Sequence, residues 1–450
     1  METGRWAGRA LDSVLERVAV TGAAVGDRFP LHAEPADGTW TTTRNGSWTG
    51  GFWAGLLWLR ARSTGAAADR RAASACTARL ARWAEADTAT RGLILWYGTA
   101  AAEDDPYAAA LRARAARACL AAFDPALGIV PWGDAFGGPR LLARADGAPG
   151  LVPLLAAAGP TGAAAASTHL HHHLDLCLDL CLDLCLDPCL GRDDAAKPVR
   201  RPGRRAGALL DWPTGADTEP LGGPPPDAYA GPAAGSPSGT GSDAYAGPLS
   251  GAPSCARGAG PRPARAPHNP PSPPRPPAWS FHGAATGWLP CAEPEPGWSR
   301  GDAWLLLAVA DALLIPAVAG HRPARLVAAA DRLAAPTLRY GPLVPPARTG
   351  HPDGPLDTSA AAITAVALLK LARLPGPGAD QYAHRAEAIL GHLVREHVTG
   401  PGPGRPAGML LNGCYDAGRA LAVRHELVWG DFFLALGLAA LTGLVDPTRP

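Results

Sequence analysis

Three tryptophan blocks flanked by glycine, arginine and aspartate are the segments of this sequence best suited to chemistry. They are Trp48–Leu59, Trp298–Trp304 and Glu426–Phe433, in a chain that has 14 Trp against 7 Tyr and 7 Phe. A flat indole ring covers the apolar C–H face of a sugar, while a nearby guanidinium or carboxylate binds hydroxyls or a uronate carboxylate. The blocks therefore predict a carbohydrate-binding site. The alternative is that these rings are core aromatics on helices.

The elements that must position these blocks are helices. Long β-branched alternation is absent, so no sheet is predicted. Amphipathic helices joined by loops rich in Gly and Pro predict an all-α fold, a closed ring of helical hairpins whose loops at one mouth build the site. Apolar residues recur at three- and four-residue spacing in Trp6–Val18, Trp53–Arg62, Ala67–Ala84, Leu93–Ala102, Tyr107–Phe123, Pro149–Ala158, Ser167–Leu176, Asp302–Ala319, Pro323–Ala335, Thr358–Leu374, Ala379–Val398 and Trp429–Thr442.

The chain divides into two folded halves, residues 1–168 and 278–450, separated by residues 169–277. This middle segment opens with a histidine cluster, continues with a Leu-Asp-Leu-Cys repeat and ends in a Pro- and Gly-rich tract. It cannot bury enough apolar surface to offset its ordering entropy, so we expect a disordered insertion. The repeat places cysteines four residues apart from Cys177 to Cys189, whereas structural zinc sites use tight cysteine pairs. No metal site is predicted, and expansion of a short DNA repeat explains the pattern better.

The composition excludes several classes of partner. A net charge of +1 provides no electrostatic footprint for nucleic acid. The start of the chain lacks the pattern of a signal peptide, and its most apolar run, Trp304–Gly320, is short for a membrane span. The cysteines outside the repeat are scattered, which favours the reducing cytoplasm over a disulfide framework. No phosphate loop or nicotinamide fingerprint is present, so no cofactor is predicted. The sequence does not predict the oligomeric state.

The tryptophan blocks, together with several shorter segments, resemble glycoside hydrolase family 88, the unsaturated glucuronyl hydrolases. The resemblance implies an (α/α)6 barrel of six helical hairpins and an oligosaccharide substrate that ends in a C4–C5 unsaturated uronate. The rhamnogalacturonyl hydrolases of family 105 share this fold and some of these features. The matching segments, in the order of the family, are Trp48–Leu59, Arg144–Asp146 with Pro153–Leu155, Phe281–His282, Trp298–Trp304, Asp357–Ile363, Leu411–Gly413 and Trp429–Phe433.

The resemblance also implies a mechanism and an acid. In the family, a carboxylic acid donates a proton to C4 and water adds at C5. The hemiketal then opens, and the glycosidic bond is lost. Asp146, which precedes Pro153–Leu155, matches this acid. One carboxyl group can do this work if burial or a like-charged neighbour raises its pKa. From the residues alone, an N-cap of the following helix is the preferred interpretation of Asp146, and the resemblance favours catalysis instead.

Four further substrate-binding residues follow from the same resemblance. Arg300 and Trp304 match the Arg-Gly-x-Ala-Trp block of the family, although Asp302 stands where Gln is common. The planar guanidinium of Arg300 suits a carboxylate or vicinal hydroxyls, and the alternative is an ion pair with Asp302 at a helix start. Trp48 and Trp132 are predicted to stack on the sugar.

Other matches concern histidines and a helix start. His282 matches a substrate-binding histidine of the family, although a lone histidine is more often structural. His169 matches a family histidine that follows the catalytic helix. Asp357 and Ser359 are expected to cap the helix that follows them, and the resemblance also allows a position facing the substrate.

One position departs from the family pattern. Thr90 stands where the family has a second essential carboxylate, which would act as the like-charged neighbour of the acid. Asp87 lies three residues earlier and need not point the same way, and Asp134, which follows Trp132 in the sequence, is a second candidate to replace that carboxylate. Three hypotheses follow: a hydrolase of unsaturated uronyl oligosaccharides, a related barrel that binds or isomerises another sugar, and a non-catalytic sugar-binding protein.

Overall fold

The computed structural model describes residues 2–102, 104–178, 275–339 and 341–449 of the chain. All of these residues fall into one compact unit. Most of the insertion predicted to be disordered, residues 169–277, and the cysteine repeat beyond Cys177 fall in residues 179–274, which lie outside the described residues. Residues 169–178 are helical, so the boundary predicted at residue 168 falls inside a helix.

Helices dominate the described chain, and each predicted helical segment except Leu93–Ala102 overlaps at least one of them. In that segment a π-helix spans Gly92–Trp96 and is followed by turns. The α-helices are α1 Glu2–Val25, α2 Gly50–Thr64, α3 Ala67–Arg79, α4 Pro106–Ala121, α5 Leu151–Ala156, α6 Pro160–Leu178, α7 Ser299–Leu314, α8 Pro316–Ala319, α9 Pro323–Leu338, α10 Thr358–Leu371, α11 Ala379–Glu396 and α12 Val428–Thr442.

Local chemistry sets several of these helix ends. The Asp105 side chain accepts a hydrogen bond from the Ala108 N–H and caps α4, whose first residue is Pro106. The predicted run Asp302–Ala319 splits into α7 and α8 because Pro316, which lacks an N–H, starts a new helix. A short polar side chain and prolines in the sequence thus determine where these helices begin and end.

In the part of the chain that the structure describes, two small antiparallel sheets correct the prediction that no sheet forms. Their orders are β2-β1-β7-β6 and β3-β4-β5. The strands are three to seven residues long, too short for an alternating pattern to stand out in the sequence. They are β1 Phe29–Ala33, β2 Trp40–Thr43, β3 Leu142–Arg144, β4 Ala278–Phe281, β5 Trp288–Pro290, β6 Gly413–Asp416 and β7 Leu421–Leu427.

The helices that bury most of their surface contact one another in a closed circuit. It runs from α2 to the π-helix, then to α5, α7, α10 and α12, and returns to α2. Inside the circuit the Phe52 ring stacks on Trp304, with 6.2 Å between centroids, and packs against Phe433 at 5.6 Å. Helices α3, α6, α9 and α11 each pack on at least one member of the circuit. Aromatic packing therefore fills the interior, and the ends of the circuit helices carry the loops.

Within the described residues, no helix combines the length and apolar character needed to cross a membrane. The same residues contain no group of three or more His, Cys, Asp or Glu side chains arranged to hold a metal ion. Their cysteines are free thiols: Cys76, Cys119, Cys177, Cys291 and Cys414.

Candidate functional site

A ladder of alternating indole rings and guanidinium groups lies at one end of the helical circuit. The Arg144 guanidinium carbon is 5.2 Å from the centroid of the Trp132 ring and 5.5 Å from that of Trp298. The Arg300 guanidinium carbon is 5.2 Å from Trp298 and 5.4 Å from Trp429. These five side chains, called the Trp–Arg ladder below, come from loop 130–135, the end of β3 and the first turns of α7 and α12. Cation–π contacts of this kind hold both partners in place.

Trp48 extends the ladder. Its ring centroid lies 4.9 Å from that of Trp429, and its Nε1–H donates a hydrogen bond to the Tyr415 hydroxyl at 3.2 Å. Trp48 is half-buried, so one part of its ring packs and another part faces solvent. Its position is compatible with the predicted stacking on a sugar.

Asp146 lies beside the ladder, in a single 3₁₀ turn, Ala145–Gly147, that follows β3. Its Oδ1 is 3.0 Å from Arg144 Nε, and the side chain is only 14% exposed. Burial raises the pKa of the Asp146 carboxyl, while the positive charges of Arg144 and Arg300 oppose that rise. Neither Asp146 Oδ1 nor Arg144 Nε has a hydrogen-bond partner of good geometry within the described residues.

The alternative that Asp146 caps the following helix is wrong. Helix α5 begins at Leu151, and its N-cap is Gly150 in the left-handed conformation with φ 67°. The Asp146 carboxylate therefore does not serve the first turn of α5. A buried carboxyl with a raised pKa and no capping function is a group that chemistry can use.

Arg300 is locked into the fold. Its Nη1 donates to Asp357 Oδ2 at 2.6 Å and to the Cys414 carbonyl at 2.5 Å, while Nη2 donates to the Tyr415 carbonyl at 2.7 Å. The predicted alternative, an ion pair with Asp302, is wrong because the partner is Asp357. These bonds tie α7 to α10 and β6, so Arg300 acts first as a brace of the ladder.

Asp357 caps α10 as expected. Its Oδ1 accepts hydrogen bonds from the Ser359 N–H and hydroxyl and from the Ala360 N–H, while Oδ2 accepts from Arg300. Helix capping and the ion pair share one carboxylate, so both of its oxygens are used inside the protein.

Two predicted substrate residues lie away from this end of the structure. The Trp304 ring is 1% exposed and packs in the aromatic interior against Phe52. His282 is exposed and pairs with the Ser280 hydroxyl. The β3–β4 register sets Ala278 opposite Arg144, so His282 lies about 13 Å farther along the strand direction. The structure therefore places Trp48, Trp132 and Arg300 in or next to the Trp–Arg ladder, which Asp146 adjoins through Arg144, but it does not place Trp304 or His282 there.

Thr90 lies beside the turn that carries Asp146, where the family pattern predicts a carboxylate. Its hydroxyl is 2.9 Å from the Thr88 hydroxyl, and it is buried. Next to it, the Ala89 N–H donates to the Trp132 carbonyl at 3.0 Å. A Cβ on Gly147 would lie 3.3 Å from the Ala89 Cβ. Ala89 therefore lies against the turn that carries Asp146, and the hydroxyls of the two flanking threonines pair with each other.

The two carboxylates considered as substitutes do not take this place. Asp87 forms an ion pair with Arg140 at 2.7 Å, and Asp134 is exposed. A third carboxylate, Asp302, lies in the first turn of α7 and is exposed. Burial is the main cause of the raised pKa of the Cys177 thiol, and the charges of Asp302 and Asp146 add to that rise. From the sequence, Asp302 was considered only as an ion-pair partner of Arg300.

Sequence reasoning also missed Arg144 and Trp298 as members of the site. Both residues lie inside segments that match the family, but neither was assigned a role. The signal available in the sequence was the placement of Arg144 two residues before Asp146 and of Trp298 two residues before Arg300. Because these pairs come from distant segments, only the folded chain shows that all four residues adjoin.

A separate cavity of about 580 Å³ lies at the other end of the helices, lined in part by Trp96, Pro153 and Asp311. Asp311 is eleven residues after Arg300 on α7, which corresponds to about 16 Å along the helix axis. This cavity is therefore not part of the candidate site.

No family model matches the sequence, and no curated protein matches it. The fold, however, matches solved structures of unsaturated glucuronyl hydrolases. The enzyme from Bacillus sp. GL1, described as responsible for the degradation of glycosaminoglycan, is 18% identical with a TM-score of 0.66, over 97% of this chain and 96% of that one. An unsaturated glucuronyl hydrolase specific for heparin is 18% identical with a TM-score of 0.65, over 98% and 99%.

A third match is a variant of the Streptococcus agalactiae enzyme in complex with the sugar dGlcA-GalNAc6S. It is 15% identical with a TM-score of 0.57, over 98% of this chain and 92% of that one. Structural matches of this quality over nearly full length establish a shared helical fold. The identity is low, so the chemistry of this chain must be argued from its own residues.

Proposed function

We propose that this protein, which has the fold of the unsaturated glucuronyl hydrolases, is a glycoside hydrolase acting on unsaturated uronyl oligosaccharides. The observation that carries the proposal is Asp146, a buried carboxyl with a raised pKa that lies against a ladder of indole rings and guanidinium groups. A general acid needs a raised pKa to stay protonated near neutral pH. A sugar needs flat aromatic rings and cationic groups beside that acid.

The architecture that we propose for the helical circuit is an (α/α)6 barrel. Six helical segments contact one another in a ring, and outer helices pack against its members. The ladder residues at helix starts and in loops then belong to one mouth of the barrel. In this arrangement the aromatic side chains around Trp304 fill the interior of the barrel below the site. The substrate then enters from the mouth that the loops form.

The proposed reaction is hydration of the C4–C5 double bond. Protonated Asp146 gives its proton to C4, and a water molecule adds its oxygen to C5. Asp146 then takes a proton from that water, which returns the carboxyl to its starting state. The hemiketal at C5 opens, and the glycosidic bond at C1 is lost as the ring rearranges. One carboxyl group is sufficient for both proton transfers.

Arg144 is the proposed partner of the uronate carboxylate. Its side chain is 24% exposed, and its guanidinium lies between the Trp132 and Trp298 rings next to the acid. The planar guanidinium binds a carboxylate through two parallel N–H···O bonds. Binding there would hold C4 of the sugar near Asp146.

The absence of a carboxylate at Thr90 changes how the acid is kept protonated. Here burial raises the pKa of Asp146, and no like-charged neighbour at position 90 helps. We place the reaction in the cytoplasm, where the free thiols of the described residues would stay reduced.

The test uses the ultraviolet absorbance of the conjugated double bond. The purified protein is incubated with unsaturated uronyl disaccharides derived from several polysaccharides, and loss of that absorbance is followed. We expect loss with at least one disaccharide, and none when Asp146→Asn replaces the wild type. A folded protein that binds the disaccharides without removing the absorbance would overturn the proposal and make this a sugar-binding protein.

A further inference from the structure

Helix α6 buries two imidazole rings against the turn that carries Asp146. His169 and His173 lie four residues apart on one face of the helix, with 4.3 Å between ring centroids. They are 0% and 1% exposed. Neither ring reaches solvent, so neither can exchange protons with a substrate.

His169 bridges two walls of the candidate site. Its Nδ1 accepts a hydrogen bond from the Val130 N–H at 3.1 Å, and its Nε2 is 3.3 Å from the Gly147 carbonyl. Val130 lies two residues before Trp132, and Gly147 directly follows Asp146. One imidazole thus connects the loop of the stacking tryptophan to the turn of the acid.

The two hydrogen bonds fix the tautomer of His169. Because an N–H points at Nδ1, that nitrogen carries no proton, and Nε2–H donates to the Gly147 carbonyl. The ring must be neutral for this pattern. Burial, helped by the neighbouring His173, lowers the pKa of His169 well below its usual range. Burial and hydrogen bonding therefore both favour the neutral His169 imidazole, with its proton on Nε2.

His173 packs next to His169 on the same helix and also contacts the turn that carries Asp146. Its Nδ1 is 2.8 Å from the His169 carbonyl, and burial lowers the pKa of its imidazole to about 4. Its Nε2 lies 3.8 Å from where a Cβ on Gly147 would be. The bare Gly147 backbone therefore fits closely over both rings, and the turn has little room to shift.

We propose that His169 is a positioning residue that holds the carboxyl of Asp146 in its buried place beside Arg144. This inference rests on the proposed function, because it assigns to His169 the alignment of the acid in that reaction. Loss of the Nε2–H···O=C bond to Gly147 would free the turn to move, and the carboxyl would shift toward water. Misplacement of a reacting group by about 1 Å costs about 10²-fold in rate.

Two substitutions at one position separate positioning from packing. In His169→Asn the shorter amide can reach Val130 but not Gly147, whereas in His169→Gln the longer amide can reach Gly147. We expect His169→Asn to lower kcat by about 10²-fold with KM little changed, and His169→Gln to retain most of kcat. Equal kcat values for the two variants would overturn the proposal.

A matched control lies on the same helix. His171 also bonds a backbone carbonyl, that of His321 at 3.1 Å, but not the turn. His171→Asn should leave kcat near the wild-type value. If it lowers kcat as much as His169→Asn does, the effect reports the packing of α6 and the positioning role is refuted.

A second measurement does not depend on turnover. Carbon-13 NMR titration of the Asp146 carboxyl should show a lower pKa in His169→Asn than in the wild type, and no such change in His169→Gln. If the wild type consumes no unsaturated disaccharide, the proposed function fails while this titration still decides the positioning. Identical Asp146 titrations in both variants and the wild type would refute it.

Discussion

Two arginine–aspartate pairs adjoin Trp298, and the chain encloses them to different degrees. The side chains of Arg144 and Asp146 are 24% and 14% exposed, while those of Arg300 and Asp357 are 4% and 0% exposed. The second pair has hydrogen bonds to α10 and β6, whereas Arg144 Nε and Asp146 Oδ1 have none of good geometry within the described residues. The two Arg–Asp pairs therefore differ in their hydrogen bonding and exposure although they consist of the same residue types.

This difference in enclosure indicates that Arg300–Asp357 stabilises the fold, whereas Arg144–Asp146 is available for binding and reaction. A buried ion pair whose remaining bonding positions are filled holds segments together, and removing one partner leaves a charge without compensation. A partly open pair with unused bonding positions costs less to disturb and is free to bind a ligand. Perturbed carboxyls with such freedom mark functional sites more often than fully bonded ones do.

The largest expected effect is on catalysis, at the open pair. Asp146→Asn keeps the shape of the side chain but removes the proton donor, so kcat should fall by about 10²–10⁴-fold. Thermal unfolding should show no loss of stability, because a buried carboxyl is replaced by a neutral amide. Asp134→Asn, which changes an exposed carboxylate in a nearby loop, is the control and should not alter kcat. Retention of wild-type kcat in Asp146→Asn would remove Asp146 from the mechanism.

The next effect is on stability, at the closed pair. Arg300→Met removes the partner of Asp357 and should lower the free energy of unfolding by about 3–5 kcal/mol. Arg144→Met at the open pair should lower it by about 1 kcal/mol or less. Urea unfolding of both variants measures the contrast. Equal losses would show that the two pairs are not distinguished by enclosure.

Much of the fold was predictable because helical spacing is a local signal. The recurrence of apolar residues in Trp6–Val18 predicts α1, and Asp357 predicts the start of α10. The strands were not predicted, since β3 has three residues and pairs with β4 from the other half of the chain. Pairing between distant segments of such length leaves no periodic trace in the sequence.

The site was predicted in part for the same reason. Asp146 and Trp48 lie in segments whose local pattern resembles the family, and Trp132 was predicted to stack on the sugar from the same resemblance. The structure places all three in or next to the Trp–Arg ladder. The brace role of Arg300 depends on the carbonyls of Cys414 and Tyr415, more than a hundred residues away. Trp304 shares a sequence block with Arg300, but its helix position turns the ring into the aromatic interior. Contacts between distant segments decide which matched residues face a substrate.

A smaller effect should appear in substrate binding at the open pair. If Arg144 binds the uronate carboxylate through its planar fork, both Arg144→Lys and Arg144→Met should raise KM by about tenfold or more. A charge-assisted hydrogen bond contributes about 1.5–3 kcal/mol, and lysine cannot reproduce the two parallel bonds. Steady-state kinetics with an unsaturated disaccharide measures this. An unchanged KM in both variants would show that the uronate carboxylate of the substrate does not bind Arg144.

The smallest effect, a shift in pH dependence, separates the charge of Arg144 from its shape. The acid must be protonated, so kcat/KM should fall as pH rises through the pKa of Asp146 in the free enzyme. Burial raises the pKa of Asp146, and the Arg144 charge acts against that rise. Arg144→Met removes the opposing charge, so the alkaline limb should move to higher pH. Arg144→Lys keeps the charge, and its limb should stay where the wild type has it. If the alkaline limb of the pH profile moves equally in both variants, the planar shape of the Arg144 guanidinium, rather than its charge, sets the pKa of Asp146.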